Sequence, residues 1–445
     1  MNINDIERLH KEYKKRMEAY SFPILEYHQT IALADFHHLG FPLSKDERYQ
    51  YTEVGALLAK FSEIRPCFPE EYPSSFISDT LVPKETNTVG KDSIVPGIQI
   101  TMVNGFLQTV NSLPQHHTWI GSLKRFSESY PQFMKSHYAK LADNSQNGLV
   151  ALNTLFSCDG VVIYVPQGCH LQNTIEIKHW LRADTGQMEN HRILIIVEEN
   201  AQVQLSLFTQ TLGHSQILSS QVVECYVGKN SSLELYEAEN TDVGTIRFSN
   251  LFLRQEADSQ VVLGTITLHN GITHNYTETC LAGKGATISL SGMALIDQQR
   301  HVDNYTFIDH LAGGCHSEEL YKYILDDYAT GSFAGKVLVR KGAQQTNSQQ
   351  TNRNLCLSKE ARMYTRPQME IYADDVKCGH GATVGQLDDS ALFYMRQRGI
   401  SEKEARRLLL TAFLEEMTER IPHTDFKGQI RHLVEKRLHK EKTTF

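Results

Sequence analysis

The chain of 445 residues is 40% hydrophobic and 22% charged and carries a formal net charge of −8. This negative charge argues against nucleic acid as the main partner, because phosphate binding needs a basic face, and no apolar run approaches the roughly 20 residues that span a membrane. The eight cysteines are scattered singly and the N-terminus lacks the apolar core of a signal peptide, so reduced thiols and a cytoplasmic location are expected.

The first part of the chain, residues 1–97, is expected to be a helical region with a proline-rich connector. Apolar residues spaced by four mark a first helix, and a second is expected to stop at Gly40, in a Gly-Phe-Pro sequence. A third is expected to begin at Ser44, where Glu47 gives the spacing of a capping box. Residues 65–98 contain five prolines with many Ser and Thr, which predicts an irregular connector.

Residues 98–387 contain short apolar runs separated by polar or glycine-containing corners. Runs such as VVIYV, ILIIV, VQLSLF and GKVLV have the period of a strand, and corners such as EENAQV, GKNSSL and AGKGATI recur at intervals of roughly 30 residues. One coil of short strands cannot bury its own inner face, whereas stacked coils share a continuous interior, so the pattern predicts a β-helix core. A β-sandwich is the alternative; it would be favoured by hairpin signals, of which Asn270-Gly271 is one of few.

Residues 388–445 are expected to form a C-terminal helical domain. Gly399 suits the left-handed position after a first helix, and Ser401 with Glu404 forms a capping box for a second. The second helix has an apolar stripe broad enough to predict packing on more than one side. The stripe consists of Leu409, Ala412, Phe413 and Met417, widened by Leu410 and Leu414.

Cys378 and His380, in the sequence DDVKCGH, are the first candidate ligands. On a strand they share one face, with Cα atoms about 6–7 Å apart, and thiolate and imidazole both bind iron, copper or zinc; the thiol could equally carry a sulfane sulfur. Two donors do not close a site, so either Cys315 and His316 or a second chain would complete it. The alternative is structural, with Cys378 as a buried corner residue and His380 as a hydrogen-bonded cap.

Catalytic and nucleotide-binding interpretations are disfavoured. A hydrolase dyad of Cys378 and His380 would need reacting atoms about 3 Å apart, which adjacent same-face strand positions hold poorly. The sequence AGKGAT at residues 282–287 fails the spacing of a phosphate loop and is better explained as a β-helix corner. His310, together with the Cys315-His316 pair, is expected to form a loop cluster whose role the sequence leaves open.

A family resemblance enters with the segment ARMYTRPQMEIYADDVKCGHGATVGQLDDSALFYMRQRGISEKEARRLL. It closely resembles the C-terminal signature of the SufD branch of the SufB/SufD family, which serves the SUF system of iron–sulfur cluster assembly. DHLAGGCHSEELYK and GKVLVRKGAQQTNSQQTNRNLCLS resemble further family blocks, as does GFPLSKDERYQYTEV, where Tyr49 replaces the usual Trp. The SufB branch usually has a Glu-His-Glu-Ala-Thr type of corner, whereas Lys377, Cys378, His380 and the following Gly-Ala-Thr fit the SufD form.

This resemblance implies a mainly β fold, with a right-handed parallel β-helix core flanked by N-terminal and C-terminal α-helical regions. It also implies a complex with a SufB paralogue and with two copies of the SufC ABC-type ATPase, which docks on the C-terminal helices at roughly residues 392–421. The interface between the paralogues is linked in the family to nascent cluster formation. His380 is then a candidate ligand with Cys378 beside it, and the iron or nascent cluster is transient and shared with the partner. Whether a flavin binds, and whether the isolated chain forms a homodimer, stays open.

The function that we expect is therefore that of a non-catalytic scaffold subunit, not an enzyme, which contributes to iron acquisition and cluster assembly in the cytoplasm. Two alternatives come from other classes of protein. The first is a β-helix enzyme acting on polysaccharide, which would need exposed carboxylates or basic residues along one face of the coils. The second is a purely structural assembly protein in which Cys378 and His380 only pack a corner.

Overall fold

The computed structural model describes residues 3–61, 63–72, 97–111, 118–182, 186–214 and 216–439. The fold is mainly β, a parallel β-solenoid with helices at both ends of the chain. The strands are β1 (Arg65–Pro66), β2 (Ile98–Val103), β3 (Phe106–Val110), β4 (Trp119–Ser122), β5 (Gly160–Val165), β6 (Ile175–Leu181), β7 (Gln187–Val197), β8 (Gln202–Thr211), β9 (Ile217–Val227), β10 (Ser232–Asn240), β11 (Thr245–Gln255), β12 (Gln260–His269), β13 (Ile272–Leu281), β14 (Thr287–Ile296), β15 (His301–His310), β16 (His316–Leu325), β17 (Thr330–Val339), β18 (Thr346–Cys356), β19 (Arg362–Ile371) and β20 (Val376–Gly385).

Successive strands of the solenoid alternate between two sheets. Sheet A has the order β19-β17-β15-β13-β11-β9-β7-β5-β4, with β1 paired to β7, and sheet B has the order β20-β18-β16-β14-β12-β10-β8-β6-β2-β3. From β5 onward the pairing within each sheet is parallel, and register partners are separated by 26 residues at Ile246 and Ile272 and by 32 residues at Thr330 and Arg362. The predicted repeat and the predicted β-helix are therefore confirmed, and the alternative of a β-sandwich is wrong. Asn270-Gly271 connects β12 of sheet B to β13 of sheet A and does not close a hairpin.

The corners of the coils combine a left-handed residue with a small buried one. Asn200, Asn230 and Asp258 have φ values of 56°, 55° and 57°, a region that Asn and Asp tolerate better than other side chains. Each precedes a small buried residue, such as Ala201 or Ser231. Polar and small residues recur in the sequence because this tight corner recurs in each coil. The segment at residues 282–287 lies at such a corner, between β13 and β14.

The lumen, which is the space enclosed by the two sheets, is apolar along one side. Val, Ile and Leu residues from both sheets, such as Ile193, Val223 and Leu235, form a continuous core there. The other side of the lumen has buried polar side chains, including Glu189, Gln221 and Glu237. Because buried polar groups need hydrogen-bond partners, this side is held by a network between coils instead of by apolar contact.

Helices cover the outer faces of both sheets. Those of the N-terminal region pack on sheet A through a core that includes Phe36, Leu58 and Phe248, and those of the C-terminal region pack on sheet B through a core that includes Leu295, Leu414 and Ile430. None of the described helices is long and apolar enough to cross a membrane. The α-helices are Ile3–Glu18, Pro23–Leu39, Val54–Leu58, Leu123–Ser129, Pro131–His137, Gly148–Phe156, Asp389–Gln397, Glu402–Glu419 and Thr424–His439, and short 3-10 helices lie at Glu47–Tyr49, Pro69–Glu71 and Asn144–Gln146.

The first two N-terminal helices are as predicted, and Gly40 ends the second with a φ of 64°. The helix predicted from Ser44 is wrong: residues 47–49 form a 3-10 turn capped by Asp46, and the next helix begins only at Val54. Tertiary contacts explain the break, because the Thr52 hydroxyl donates to Asp303 of sheet A at 2.8 Å. Most of the predicted connector, residues 73–96, lies outside the described residues.

Three helices within residues 123–156 were not predicted, because the whole range was expected to be strand and corner. The most buried of them, Gly148–Phe156, is capped by Asn147, whose side chain accepts from the backbone N–H of Leu149. A Cβ atom on Gly148 would lie 1.8 Å from the carbonyl oxygen of Gly40. This helix therefore packs against the end of the second N-terminal helix at a distance that only glycine permits.

The C-terminal caps are confirmed. Gly399 has a φ of 85°, and the Ser401 side chain accepts from the backbone N–H of Glu404. The predicted stripe is only partly correct, because Ala412 is exposed. The buried face of the helix Glu402–Glu419 consists of Ala405, Leu410, Leu414, Met417 and Thr418.

Candidate functional site

The two predicted ligands lie on β20, at one end of sheet B. The register of β20 with β18 sets Cys378 beside Ser348 and His380 beside Gln350. Ser348 and Gln350 are buried positions of an alternating strand, and parallel neighbours in register share a face, so Cys378 and His380 lie on the lumen side of the last coil. In the part of the chain that the structure describes, no strand pairs with the other edge of β20.

The two ligands differ in exposure. Cys378 is half-buried and packs against the apolar lumen together with Met369 and Val376, whereas His380 is exposed. Burial raises the pKa of the Cys378 thiol, and a hydrogen bond from the Ser348 backbone opposes this only in part. The thiol is therefore protonated at neutral pH, and a metal or sulfur species that uses it must displace the proton.

A buried polar column ends at His380. Glu319, Gln350 and His380 occupy the same register on three successive strands of sheet B, and Gln350 Nε2 donates to Glu319 Oε2. The Oε1 atoms of Glu319 and Gln350 are buried without a donor among the described residues. Gln350 is the register neighbour of His380, so the column brings a buried amide next to the candidate ligand.

A second column ends at Cys378. His310 Nε2 lies 2.9 Å from Ser317 Oγ, and the Ser317 hydroxyl donates to Ser348 Oγ at 2.8 Å. Ser348 is the register neighbour of Cys378. Burial lowers the pKa of His310 to about 4, so its imidazole is neutral at physiological pH. Each candidate ligand therefore lies at the open end of a column of polar side chains. The column of His380 begins at the buried Glu319, and the column of Cys378 begins at the buried His310.

Cys315 and His316 are not brought to this site. His310 is the last residue of β15 and His316 is the first of β16, so the two histidines flank the loop that contains Cys315. Cys315 is buried, with Sγ 3.3 Å from the carbonyl oxygen of Gly283. Among the described residues, Cys378 and His380 belong to no group of three possible metal-binding side chains.

The chain passes directly from β20 into the C-terminal helices. Asp388 caps the first of them by accepting from the backbone N–H groups of Ser390 and Ala391. Within that helix Leu392 is buried, but Phe393 and Tyr394 are 63% and 60% exposed. Adjacent exposed aromatic side chains are typical of a protein–protein contact, and this pair lies close in sequence to the candidate ligands.

Several site residues were missed by the sequence analysis. Glu319, Ser317 and the inward residues of β18 were absent from it, although β18 carries a visible signal. Its sequence TNSQQTNRNLC places a polar residue at every buried position from Thr346 to Asn354, whereas β14 has Ile288 and Leu290 at the positions equivalent to Ser348 and Gln350. A second group consists of His179, Glu189 and His191, which come from two strands, β6 and β7.

Comparison with known proteins agrees with these observations. The family described as "SUF system FeS cluster assembly, SufBD core domain" matches residues 179–413, and the "SufBD protein N-terminal region" matches residues 2–177. An iron–sulfur cluster assembly SufBD family protein of Synechocystis sp. is 27% identical over 413 residues, which cover 89% of this chain and 87% of that protein.

Relatives of both branches are similar to the chain. The iron–sulfur cluster assembly protein SufD of Escherichia coli is 36% identical over 181 residues, 41% of this chain and 43% of that protein. The assembly protein SufB of Bacillus subtilis is 27% identical over 292 residues, 65% of this chain and 62% of that protein. Since the two family matches together span almost the whole sequence, the chain belongs to the SufBD family of iron–sulfur cluster assembly proteins of the SUF system.

Proposed function

We propose that this chain is a SufD-type scaffold subunit without catalytic activity of its own, which pairs with a SufB-type partner in the cytoplasm. The Lys377-Cys378-Gly379-His380 corner supports the SufD assignment, because the other branch usually carries glutamates there. The proposal includes a division into residues 1–97, 98–387 and 388–445, with the helices of residues 123–156 belonging to the solenoid domain.

The single observation that carries the proposal is an incomplete ligand pair at an open coil. Cys378 and His380 face the lumen side of β20, whose outer edge has no partner among the described strands. An open edge pairs readily with another chain, and a thiol with an imidazole supplies two of the donors that iron or a nascent cluster needs. The partner subunit would supply the remaining donors, so that the cargo is bound transiently at the seam between the two chains.

The ATPase subunit of the SUF system would dock on the C-terminal helices, at the surface that contains Phe393 and Tyr394. This surface is tied to the solenoid through Lys322, whose Nζ donates to the carbonyl oxygen of Phe413 at 2.9 Å and lies 2.5 Å from Glu416 Oε2. A movement of the docked subunit would therefore be passed to sheet B. Neither a flavin site nor a homodimer is part of the proposal.

The competing function is that of a purely structural subunit. The position of Cys378 favours it to some extent, because a half-buried thiol packed on Met369 and Val376 stabilises the rim of the lumen without any ligand role. The exposure of His380 favours the ligand role, since an exposed imidazole contributes little to packing.

Anaerobic reconstitution of the complete complex with iron and sulfide separates the two functions. A His380→Ala variant should assemble with both partners and bind less iron and acid-labile sulfide than wild type. The matched control is His214→Ala, which removes a histidine whose side chain is 97% exposed and lies far along the chain. Wild-type iron and sulfide in the His380 variant would establish the structural function instead.

A further inference from the structure

A second group of metal-binding side chains lies at the opposite end of the solenoid. His179 of β6 and Glu189 and His191 of β7 are each at most 1% exposed. One ligand atom of each lies within 4.8 Å of the other two. With strands about 4.8 Å apart, the seven strand intervals from β6 to β20 place this group about 34 Å from His380. It is therefore independent of the site described above.

Hydrogen bonds already orient two of the three donors. Glu189 Oε2 lies 2.8 Å from His191 Nδ1, and the Ser219 hydroxyl donates to Glu189 Oε1. His191 Nε2 faces Gln221 Oε1 at 3.3 Å, so the ring is fixed from both sides. Such an arrangement of carboxylate, imidazole and amide is the one that holds metal-binding histidines in proteins.

The third donor, His179, has a defined tautomer. Its Nε2 accepts from the backbone N–H of Gly105 at 3.1 Å, which leaves the proton on Nδ1, 3.4 Å from Thr209 Oγ1. The two histidine rings meet edge to face, with centroids 4.5 Å apart. The contact with Thr209 is long and weak, so His179 is the least restrained member of the group.

A glycine turn closes the group. Asn104 and Gly105, between β2 and β3, have φ values of 43° and 82°. A Cβ atom at Gly105 would lie 2.7 Å from His191 Cβ and 2.9 Å from Glu189 Oε2. Asn104 holds the turn in place, because its Oδ1 accepts from the Arg182 backbone N–H at 2.8 Å. For an ion to bind His179 Nε2, the Gly105 amide must leave that nitrogen.

We propose that His179, Glu189 and His191 bind one divalent first-row transition-metal ion, Fe²⁺ or Zn²⁺ by chemical class. Two imidazoles and one carboxylate form a donor set that suits both ions and is unsuited to Ca²⁺ or Mg²⁺, which prefer oxygen ligands only. The ion would bridge sheets A and B at the first coils of the solenoid.

The first test uses a Cys378→Ser/His380→Ala double variant, in which both changes lie at the other end of the solenoid. Anaerobic equilibrium dialysis against Zn²⁺ or Fe²⁺ should leave about one equivalent of tightly bound ion, and X-ray absorption of the bound zinc should show nitrogen and oxygen ligands with two imidazoles and no sulfur. An ion-free double variant, or zinc ligated by sulfur, would overturn the proposal.

The second test removes donors one at a time. Glu189→Gln and His179→Gln should each weaken metal binding by about 100-fold, since loss even of an outer-shell partner costs about 10–100-fold. The matched control is His274→Gln, which breaks another buried pair, between His274 Nδ1 and Asp303 Oδ2 at 3.2 Å. Added zinc should raise the melting temperature of wild type and of the control but not of the two donor variants. Equal melting shifts in all four proteins would overturn the proposal, and the double variant decides the matter if a donor variant does not fold.

Discussion

Glu319 gives the sharpest quantitative prediction, because it is a carboxyl group buried in the lumen without a cation. Burial raises its pKa from an ordinary 4.5 to about 7, although the hydrogen bond that it accepts from Gln350 opposes the change. A difference of that size corresponds to about 3 kcal/mol of unfolding free energy. The Glu319→Gln substitution keeps the shape of the neutral acid and removes the ionisation, so the cost of burying the charge should vanish.

The sign of the effect follows from the two pKa values. Below pH 4.5 the carboxyl is protonated in both the folded and the unfolded chain. In this range the difference in unfolding free energy between the variant and wild type should not change with pH. Between pH 4.5 and 7 the unfolded chain releases the proton while the folded chain retains it, so wild-type stability falls as pH rises. At pH 8 Glu319→Gln should exceed wild type by about 3 kcal/mol relative to the difference at low pH.

Urea denaturation at pH 5, 6, 7 and 8 measures this difference between the two proteins. Glu318→Gln is the matched control, because the adjacent side chain points outward, is 43% exposed and pairs with Arg420 at 2.8 Å. It should lose a little stability at every pH above 5 and gain none. If the difference in unfolding free energy between Glu319→Gln and wild type stays constant from pH 5 to 8, Glu319 is not buried as a neutral acid.

Three further outcomes are expected. Phe393→Ser with Tyr394→Ser should leave the melting temperature within about 2 °C of wild type, since both side chains are mostly exposed, but should weaken capture of the ATPase subunit in a pull-down; undiminished capture would place the docking surface elsewhere. Gly292→Ala should cost about 1–3 kcal/mol, the usual cost of overpacking, because a Cβ there would lie 1.9 Å from Tyr321 Cε1; an unchanged denaturation midpoint would contradict this. Lys322→Met should increase hydrogen exchange in the helix Glu402–Glu419, which loses its buried tie to sheet B; unaltered exchange would show that apolar packing alone holds that helix.

Local sequence signals correctly predicted the solenoid and the capping residues of the C-terminal helices. The strand period, the corner residues and the capping box at Ser401 each act within a few residues, and the structure retains all three. The Ser44 helix failed for the opposite reason. Its capping-box spacing is genuine, but contacts with sheet A, such as that of Thr52 with Asp303, outweigh a local preference of about 1 kcal/mol.

The site could be predicted only in part. Cys378 and His380 are two residues apart and share a strand face, so their juxtaposition follows from the strand period alone. Glu319 and Gln350 reach the same place through register between coils, and register is set by the exact length of every intervening corner. His179 meets His191 across the lumen from different sheets, a contact that no spacing along the chain encodes.

The edge of β20 that no described strand covers affects how the protein behaves when a cell produces it. Unpaired backbone N–H and C=O groups on a terminal coil form a template that accepts any exposed strand, including that of another copy. Copies synthesised in excess over the partner that we propose would therefore be prone to stack end on end and aggregate. Balanced synthesis of the subunits would then protect the chain as much as it serves assembly.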